Sequence, residues 1–300
     1  MAPPVVRAYA AGAALAQRVP APLARLGATA AGAIAASLSA DRRRVVERNL
    51  ARIDPRAEPA GRRREVIETF ASYGRYWAES FRLPAVPLDV LDDGLDYEGY
   101  EHICRAREQG NGVIIVLPHL GGWEWAAMWL TRIAQVPVTA VVEALEPPEL
   151  FEWFADLRRD LGMAVVPLGP GAAAAVMGAL RDNHVLCLLS DRDITGGGVE
   201  VELFGETTTI PAGPATLALR SGAPIVPAAV YFAGHRRCCR LLEPVPAERR
   251  GRLRDDVARI SGDIATAMET LIREAPTQWH VMQPNWPSDR AALSTNAVSA

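Results

Sequence analysis

The sequence predicts an α/β fold with a mainly parallel mixed sheet flanked by helices, and three observations carry this prediction. Residues 113–117 form an unbroken apolar run, which is typical of a strand buried on both faces. After residue 130, strand-like and helix-like patterns alternate along the chain, as they do in βαβ units. The 300 residues are 49% apolar, which is enough for a substantial core.

Residues 1–40 are predicted to be amphipathic helices that associate with a membrane. The stretch is rich in alanine, but arginine and proline interrupt it. No window therefore approaches the roughly 20 uninterrupted apolar residues that span a bilayer. Pro3 and Pro4, with a weak alanine run behind them, also make a cleaved signal peptide a poor fit. Helices that lie on a membrane or pack on the domain fit better.

Two longer helices are predicted before the first strand. Residues 41–53 place aliphatic side chains on one face and arginines on the other. The arginine face fits either a solvated surface or contact with anionic lipid headgroups, and both alternatives stay open. Residues 62–83 carry an apolar stripe that includes Tyr73 and Trp77, which would be core or the lining of an apolar channel.

A histidine follows the central strand. Pro118 ends the apolar run, because proline cannot donate to a ladder. Gly121 and Gly122 then allow a tight turn into an apolar helix that begins at Trp123. His119 therefore leaves the carboxyl end of a buried strand, where open α/β sheets place their ligand sites.

The spacing of His119 and Glu124 predicts a general base, provided that the two side chains can meet. Along one continuous helix they would lie roughly 140° apart, so His119 must stay in the loop and fold back over the helix start. A carboxylate that reaches an imidazole N–H fixes the tautomer and raises the basicity of the other nitrogen. A satisfied strand-end histidine and a solvated glutamate are the alternative interpretation.

The second half of the chain adds an acidic turn. Asp191 and Asp193 come directly after the predicted strand 185–190, and three glycines follow at 196–198. Carboxylates at the carboxyl end of a buried strand are well placed for chemistry, and glycine N–H groups could hold an anion or a carbonyl oxygen. An ordinary Asp/Gly turn is the alternative. The other elements predicted here are strands 138–142, 163–168, 199–204, 225–232 and 237–242 and helices 148–161, 172–181, 211–220 and 255–272.

The chain is expected to divide into three segments. The N-terminal helices occupy residues 1–40, and one domain occupies residues 41–286. Residues 287–300 are polar and are predicted to be a disordered tail.

Composition narrows the function. The formal net charge of −3 argues against a nucleic-acid binder that depends on phosphate contacts. The chain has no lysine, so any anion would be gripped by arginine guanidinium groups. The four cysteines show no metal-ligand spacing and are interpreted as reduced and structural, as in the cytoplasm. His119 among scattered acids offers no ligand set, so no metal site is expected.

Several motifs together resemble the lysophospholipid acyltransferase superfamily, in its lipid A late-acyltransferase branch. Residues 191–195, 198–201 and 204–207 are most similar to the phosphatidylinositol mannoside acyltransferases of actinobacteria. The resemblance covers roughly residues 40–286 and implies a glycerolipid acyltransferase-like fold, with residues 41–286 as the acyltransferase domain. The matching motifs are residues 118–124, 191–193, 204–205, 211–213 and 222–227, with flanking patterns at 44–50 and 276–279.

The resemblance implies a reaction. A long-chain fatty acyl group, with palmitoyl favoured, moves from acyl-CoA to a mannose hydroxyl of a phosphatidylinositol mannoside. His119 is the implied general base, supported by Glu124 and by a downstream acid, and no covalent acyl-enzyme forms. Asp191 is preferred to Asp193 as that acid because it is the first residue off the strand. The family often has glutamate there.

The resemblance also implies binding residues and partners. Arg158, or its neighbour Arg159, matches the substrate-contacting arginine and would grip the cofactor's phosphates. Gly197 and Arg220 match positions near the acyl-CoA, which is a donor substrate and not a permanently bound cofactor. The expected partners are the membrane glycolipid and an anionic phospholipid surface, without nucleic acid. The expected location is peripheral, on the cytoplasmic face of the plasma membrane (the inner membrane).

Two other functions stay open. A lipid A-type acyltransferase would take its acyl group from acyl carrier protein and would need an arginine-rich docking patch near the pocket mouth. A catalytically silent lipid-binding protein on the same fold would have no need for intact His119, Glu124 and Asp191.

The acyl-chain length is predicted to be set by the helix that follows His119. Its inward residues Trp125, Met128 and Trp129 would line a slot that delivers the thioester to the base. Ordinary core residues are the alternative.

Overall fold

Helices surround a central sheet in the part of the chain that the structure describes. The computed structural model describes residues 3–298, with side chains as far as residue 293. The helices are α1 (Pro4–Arg18), α2 (Ala21–Leu38), α3 (Ala40–Ile53), α4 (Pro59–Arg82), α5 (Leu88–Asp93), α6 (Tyr100–Glu108), α7 (Trp123–Arg132), α8 (Pro148–Asp160), α9 (Ala172–Arg181), α10 (Gly213–Ser221), α11 (Leu253–Glu274) and α12 (Pro287–Val298). The strands are β1 (Leu95–Glu98), β2 (Val113–Leu117), β3 (Val138–Val142), β4 (Ala164–Pro167), β5 (Val185–Leu189), β6 (Val199–Leu203), β7 (Glu206–Ile210), β8 (Ile225–Ala233) and β9 (Arg236–Leu241). Short 3₁₀ turns cover Leu83–Ala85 and Pro276–Gln278.

The central sheet has seven strands in the order β1-β9-β8-β2-β5-β3-β4. Each pairing in it is parallel except that of β8 with β9. The predicted fold class, a mainly parallel mixed sheet flanked by helices, is confirmed. β2 lies between β8 and β5, and all five of its residues are buried, as its apolar sequence requires.

β6 and β7 form a separate antiparallel hairpin, of which the sequence pattern predicted only the first strand. Phe204 and Gly205 join the two strands with positive φ values of 52° and 75°. Two successive positive φ angles are what a two-residue type I′ turn requires. Phenylalanine is rare in the first of these positions, so the turn carried no sequence signal.

The crossover connections place helices on both faces of the sheet. The connections through α7 and α8 step in one direction along the strand order, and those through α9 and α10 step back. Right-handed crossovers therefore put α7 and α8 on one face and α9 and α10 on the other. Alternate strand residues agree with this division. Ile114 and Val116 pack with residues of α9, α10 and α11, whereas Ile115 and Cys187 pack with residues of α7.

The N-terminal helix α2 packs on α4 through glycines. A Cβ atom on Gly32 would lie 2.2 Å from the carbonyl oxygen of Phe70, and one on Gly74 would lie 2.1 Å from that of Ala28. The two backbones can approach this closely only because neither glycine has a side chain.

The outer face of α2 is apolar and exposed. By length and composition alone, α2 is long and apolar enough to cross a membrane. The sequence analysis expected no such segment, because Arg25 interrupts the apolar run. That arginine pairs with Glu79 of α4 at 3.2 Å and ties the helix to the domain. Leu26 and Leu38 are 68% and 81% exposed. The exposed apolar side chains of α1 and α2 are Val5, Leu15, Leu23, Leu26, Ile34 and Leu38.

The tail after residue 286, predicted to be disordered, is helical as far as the structure describes it. It forms α12, and Asp289 in its first turn is fully buried. Arg48 and Arg52 of α3 donate to the Asp289 carboxylate at 2.6 and 2.7 Å. Part of the arginine face of α3 is therefore engaged within the fold, while residues 42–44 remain exposed. The division of the chain into three segments stays a prediction.

The glycine crossing gives a test of how α2 is held. We expect Gly74→Ala to lower the stability of the α2–α4 packing by about 1–3 kcal/mol, because the new Cβ meets backbone that cannot move aside cheaply. Gly27→Ala is the matched control, since a Cβ there meets no atom within 4 Å and alanine favours helix. Thermal unfolding and limited proteolysis of the first forty residues measure the difference. Equal behaviour of the two variants would contradict this packing.

Candidate active site

A cavity of about 690 Å³ opens at the carboxyl edge of the sheet. Leu117, Val142 and Leu189 end β2, β3 and β5, and all three line it. Residues from both faces of the sheet contribute to the wall, so the cavity extends around the strand ends. This is the position that open α/β sheets favour for a ligand.

Three groups of residues line different parts of the wall around His119. The aromatic rim comes from α4 and the C-terminal segment, the inner slot from the face of α7 and α8, and the outer groove from the face of α9 and α10. The aromatic rim is Tyr73, Tyr76, Trp77 and His280. The inner slot is Leu117, Trp123, Phe151, Phe154, Cys187 and Leu189. The outer groove is Ala172, Ala173, Val176, Met177, Leu217 and Arg220.

His119 is held by backbone and side chain together. Its N–H donates to Asp191 Oδ2 at 2.8 Å, and its ring Nδ1 lies 2.5 Å from Asp191 Oδ1. Its carbonyl oxygen accepts a hydrogen bond from the N–H of His280 at 2.7 Å. With Nδ1 engaged, Nε2 is the ring nitrogen left to act in the cavity. This arrangement can extract a proton from a bound hydroxyl.

Asp191 is the second residue after β5, next to Ser190, and is 0% exposed. Besides His119, it accepts a hydrogen bond from Trp279 Nε1 at 2.7 Å, and its carbonyl accepts one from Asn285 Nδ2 at 3.0 Å. Burial by itself would raise the pKa of Asp191. The charge of His119 and the hydrogen bonds from His119 and Trp279 outweigh burial and lower the pKa below its ordinary value. The carboxylate is therefore ionised beside the imidazole.

Asp193 has a different partner set. Its carboxylate accepts hydrogen bonds from the backbone N–H groups of Thr195, Gly196 and Gly198 at 2.9, 3.1 and 2.7 Å. These bonds fix the turn after β5, and they outweigh burial and lower the pKa of Asp193. Of the two acids that the sequence left as candidates, Asp191 contacts the histidine and Asp193 shapes the loop.

Glu124 does not hydrogen-bond to His119, although their spacing in the sequence allowed the prediction that the two side chains meet. Its Oε1 accepts hydrogen bonds from the Tyr76 hydroxyl at 2.8 Å and from Arg158 Nη2 at 3.1 Å. Burial raises the pKa of Glu124 above its ordinary value, although Arg158 and Tyr76 oppose the shift. Glycines at 121 and 122 fold the loop so that the histidine turns toward β5 and the glutamate toward α4 and α8.

The predicted binding residues lie in different surroundings. Arg158 lines the cavity, but its pairing with Glu124 engages the guanidinium that was expected to grip phosphates. Arg159 is exposed and pairs with Glu152 and Asp156 of its own helix. Gly197 and Arg220 both line the cavity and are exposed, Gly197 in the loop after β5 and Arg220 at the outer groove.

The sequence did not identify His280 as part of the site. Its ring Nε2 lies 2.9 Å from Ser72 Oγ, and its ring lies 5.4 Å from Tyr73 and 5.7 Å from Tyr76. Burial and the charge of His119 lower the pKa of His280 to about 3, so its imidazole is neutral. The one available signal was the aromatic stripe of α4, which the sequence allowed to line a channel and whose Tyr73, Tyr76 and Trp77 form the aromatic rim.

The prediction that α7 carries the chain-length residues is wrong. Trp125, Met128 and Trp129 lie in the core on the far side of α7 and are not part of the cavity wall. Trp125 Nε1 donates to the carbonyl of Leu91, and Trp129 Nε1 donates to Asp92. Both indoles are held against α5, a helix that the sequence pattern did not reveal.

Most of the chain is similar to known proteins. The family model of bacterial lipid A biosynthesis acyltransferases matches residues 5–288. The phosphatidylinositol mannoside acyltransferase of Mycolicibacterium smegmatis is 36% identical over 296 residues, which cover 96% of this chain and 94% of that protein. The protein of the same name from Mycobacterium tuberculosis H37Rv is 38% identical over 223 residues, which cover 73% of this chain and 69% of that protein.

The low pKa of His280 predicts a pH dependence of stability. As the pH falls from 7, the unfolded chain takes up a proton on this histidine near pH 6.5, whereas the folded chain does so only near pH 3. The contribution of neutral His280 to the free energy of unfolding is therefore fully present above about pH 6.5 and is lost as the pH falls toward 3. We expect His280→Gln, which cannot titrate, to lose less of its melting temperature between pH 7 and pH 5 than the wild type does.

Thermal unfolding over this pH range provides the measurement. His235→Gln removes an exposed histidine and is the control, which should keep the wild-type slope. A wild-type slope for His280→Gln as well would show that the folded protein does not keep this ring neutral.

Proposed function

We propose that this chain, which belongs to the bacterial lipid A biosynthesis acyltransferase family and acylates a glycolipid, moves a long-chain acyl group from acyl-CoA to a mannose hydroxyl of a phosphatidylinositol mannoside. Palmitoyl is the acyl group proposed first. The contact between His119 and Asp191 inside the cavity is the observation that carries this proposal. The names of the relatives from Mycolicibacterium smegmatis and Mycobacterium tuberculosis support the acceptor class.

His119 is the proposed general base. Its Nε2 takes the proton of the acceptor hydroxyl while that oxygen attacks the thioester carbonyl. The tetrahedral intermediate then collapses, the carbon–sulfur bond breaks, and the imidazolium returns the proton to the leaving CoA sulfur. Asp191 keeps the tautomer fixed and stabilises the imidazolium while it carries the proton.

A direct transfer needs no protein nucleophile. Among the cavity-lining residues, Cys187 has the most nucleophilic type of side chain, but burial raises the pKa of its thiol to about 12. The thiolate, which is the reactive form, is then scarce at neutral pH. This supports attack by the acceptor oxygen itself, without a covalent acyl-enzyme.

The aromatic rim is the proposed place for the mannose ring. Sugars present apolar C–H faces and polar edges, and the rim offers both kinds of partner. Tyr73 and Tyr76 stack at 6.1 Å with their planes 10° apart, and the buried pair of Glu124 and Arg158 lies next to Tyr76. Glu124 therefore acts by holding Tyr76 and Arg158 in place for the acceptor, and Arg158 acts on the acceptor and not on the donor's phosphates.

The outer groove is the proposed path of the CoA arm. It is open to solvent at Ala173 and ends at the exposed guanidinium of Arg220, which suits a phosphate group. Gly197 lines the cavity from the loop above, where the absence of a side chain leaves room for the arm. A donor carried by acyl carrier protein is the alternative, and assays with both donors distinguish the two.

Membrane association follows from the acceptor, and the exposed apolar side chains of α1 and α2 support an attachment through these helices. Gly32 of α2 packs against α4, while the large apolar residues of α2 are exposed. We propose a peripheral position on the cytoplasmic face of the plasma membrane, where acyl-CoA is supplied.

The mechanism predicts unequal effects of three substitutions. His119→Ala and Asp191→Asn should fold and lose acyl transfer by roughly 10²–10⁴-fold, since they remove the base and the charge that stabilises its protonated form. Asp193→Asn should retain far more activity, because its carboxylate bonds to its own loop. Mass spectrometry of palmitoylated phosphatidylinositol mannoside, with palmitoyl-CoA as donor, measures the transfer.

Thermal unfolding establishes that each variant is folded. Near-wild-type turnover by folded His119→Ala would overturn the mechanism. Equal losses in Asp191→Asn and Asp193→Asn would remove the assignment of Asp191. A wild type that uses acyl carrier protein and not CoA would replace the proposed donor.

The membrane attachment has its own test. We expect the double variant Leu26→Asn and Leu38→Asn to bind vesicles that contain phosphatidylglycerol at least ten-fold more weakly, because burial of one leucine side chain is worth about 1.5–3 kcal/mol. The control is Leu88→Asn with Val90→Asn, a similarly exposed apolar pair on α5. Sedimentation with the vesicles measures binding. If both double variants sediment like the wild type, α2 is not the attachment surface.

A further inference from the structure

We propose that three arginines outside the catalytic cavity form a binding site for a phosphate group, and that the headgroup of a bilayer phospholipid supplies this phosphate. The three residues are Arg25, Arg75 and Arg237, called here the arginine cluster, and none of them lines the cavity. For the source of the phosphate, the inference rests on the proposed attachment of α2 to the membrane. The site itself is argued from charges and contacts within the domain.

The arginine cluster carries more positive charge than its ion pairs neutralise. Arg25 of α2, Arg75 of α4 and Arg237 of β9 all pair with one acid, Glu79. The Nε atoms of Arg25 and Arg75 lie 3.2 and 2.7 Å from Glu79 Oε1. No second acid among residues 3–293 forms an ion pair with any of the three. Three guanidinium groups therefore share one carboxylate.

The excess charge is partly removed from water. The side chains of Arg25, Arg75 and Arg237 are 29%, 15% and 5% exposed. Burial lowers the pKa of Arg75 and Arg237, and the charge of Arg25 lowers both further, although Glu79 opposes the shift. Arg237 Nε is buried and makes no hydrogen bond within the described part of the chain. Like charges held close together with little solvent repel one another, so a bound anion would stabilise the cluster.

Two of the guanidinium groups lie side by side and have donors to spare. Arg25 Nη1 and Arg75 Nη2 donate to the same carbonyl oxygen, that of Gly234, at 3.4 and 2.9 Å. Arg25 Nη2 and Arg75 Nη1 make no hydrogen bond to the residues that the structure describes, and both belong to side chains that solvent reaches. Adjacent guanidinium groups with free N–H donors suit the several oxygen atoms of a phosphate, because such charge-assisted bonds are strong.

The surroundings of Arg25 point to a lipid as the source of the phosphate. Leu23 and Leu26, close to Arg25 along α2, are 59% and 68% exposed. An arginine beside exposed leucines can keep its stem on the apolar surface and its guanidinium at the level of the headgroups. Gly234 lies in the exposed turn after β8, at the edge of the sheet where the cavity opens. A phospholipid bound here would hold that edge at the bilayer surface.

Substitution of Arg25 by lysine separates a phosphate site from general attraction to an anionic surface. Lysine keeps the charge but lacks the planar fork of donors. We expect Arg25→Lys to bind phosphatidylglycerol vesicles about five-fold more weakly than the wild type and Arg25→Gln at least twenty-fold more weakly. Sedimentation measures the binding.

The same changes at Arg7, an exposed residue of α1, are the matched controls. Arg7→Lys should bind like the wild type, and Arg7→Gln should lose about five-fold at most, which is the effect of one charge near an anionic surface. Losses at Arg25 no greater than those at Arg7 would overturn the lipid site. Thermal unfolding establishes that the variants are folded, and Arg25→Lys, which retains a charge beside Glu79, serves for the comparison if Arg25→Gln does not fold.

Inorganic phosphate tests the site without a membrane. It should raise the melting temperature of the wild type more than sodium chloride does at equal ionic strength. This gain should be at least halved in Arg25→Gln and Arg25→Lys and kept in Arg7→Gln. An equal gain in all variants would overturn the phosphate site. A halved gain together with vesicle binding like that of the Arg7 variants would overturn the lipid as its source.

Acyl transfer to an acceptor dissolved in detergent keeps this inference apart from the proposed function. Arg25→Gln should transfer at the wild-type rate there, because Arg25 lies outside the cavity. A large loss in detergent would show that the cluster serves the active site and would overturn the inference. A wild type that shows the phosphate gain but binds no vesicles would instead overturn the proposed membrane attachment.

Discussion

The burial of one carboxylate governs the construction of the site. Asp191 is removed from water, and a buried charge is tolerated only when hydrogen bonds and an opposite charge compensate it. His119 supplies a ring nitrogen and a backbone N–H, and Trp279 supplies an indole N–H. The C-terminal segment therefore forms part of the site. Trp279 and Asn285 both donate hydrogen bonds to Asp191, and the N–H of His280 donates one to the carbonyl oxygen of His119. His119 and Trp279, which are 160 positions apart in the sequence, therefore meet at the end of β5, where both stabilise the charge of Asp191.

The position of the cavity at the strand ends explains how it could accommodate both the apolar acyl chain and the polar CoA arm of one donor. A parallel sheet ends in a row of loops, and the space above those loops is continuous around both faces. The inner slot lies on one face and the outer groove on the other, with His119 on the loop that joins β2 to α7. A thioester at the edge could extend its acyl chain to one side and its CoA arm to the other. The acceptor would approach from the aromatic rim, which belongs to neither face.

The sequence was informative where periodicity and strand ends decide the outcome. His119 and Asp191 follow apolar runs, and parallel strands bring their carboxyl ends together, so their meeting was predictable. The partners of Glu124 were not, because Tyr76 and Arg158 reach it from helices whose relative placement depends on tertiary packing. The orientation of α7 was missed for the same reason. An apolar helix of Trp, Met and Leu has no polar face to show which side meets the sheet and which side meets α5. The helix α12 was not predicted because its sequence is polar. It packs on the domain through buried Asp289, which pairs with Arg48 and Arg52 of α3.

The N-terminal helices are structurally continuous with the catalytic cavity. The ring of Tyr9 on α1 lies 5.2 Å from Phe154 and 6.0 Å from Trp77, and these two residues belong to the inner slot and the aromatic rim. Close-packed aromatic contacts transmit displacement, because interiors have little free volume to absorb it. The ring of Tyr9 therefore links α1 directly to two residues of the cavity wall. An enzyme whose acceptor stays in the membrane needs its cavity near the lipid surface, and the contacts of Tyr9 hold α1, which carries exposed apolar side chains, against the cavity wall.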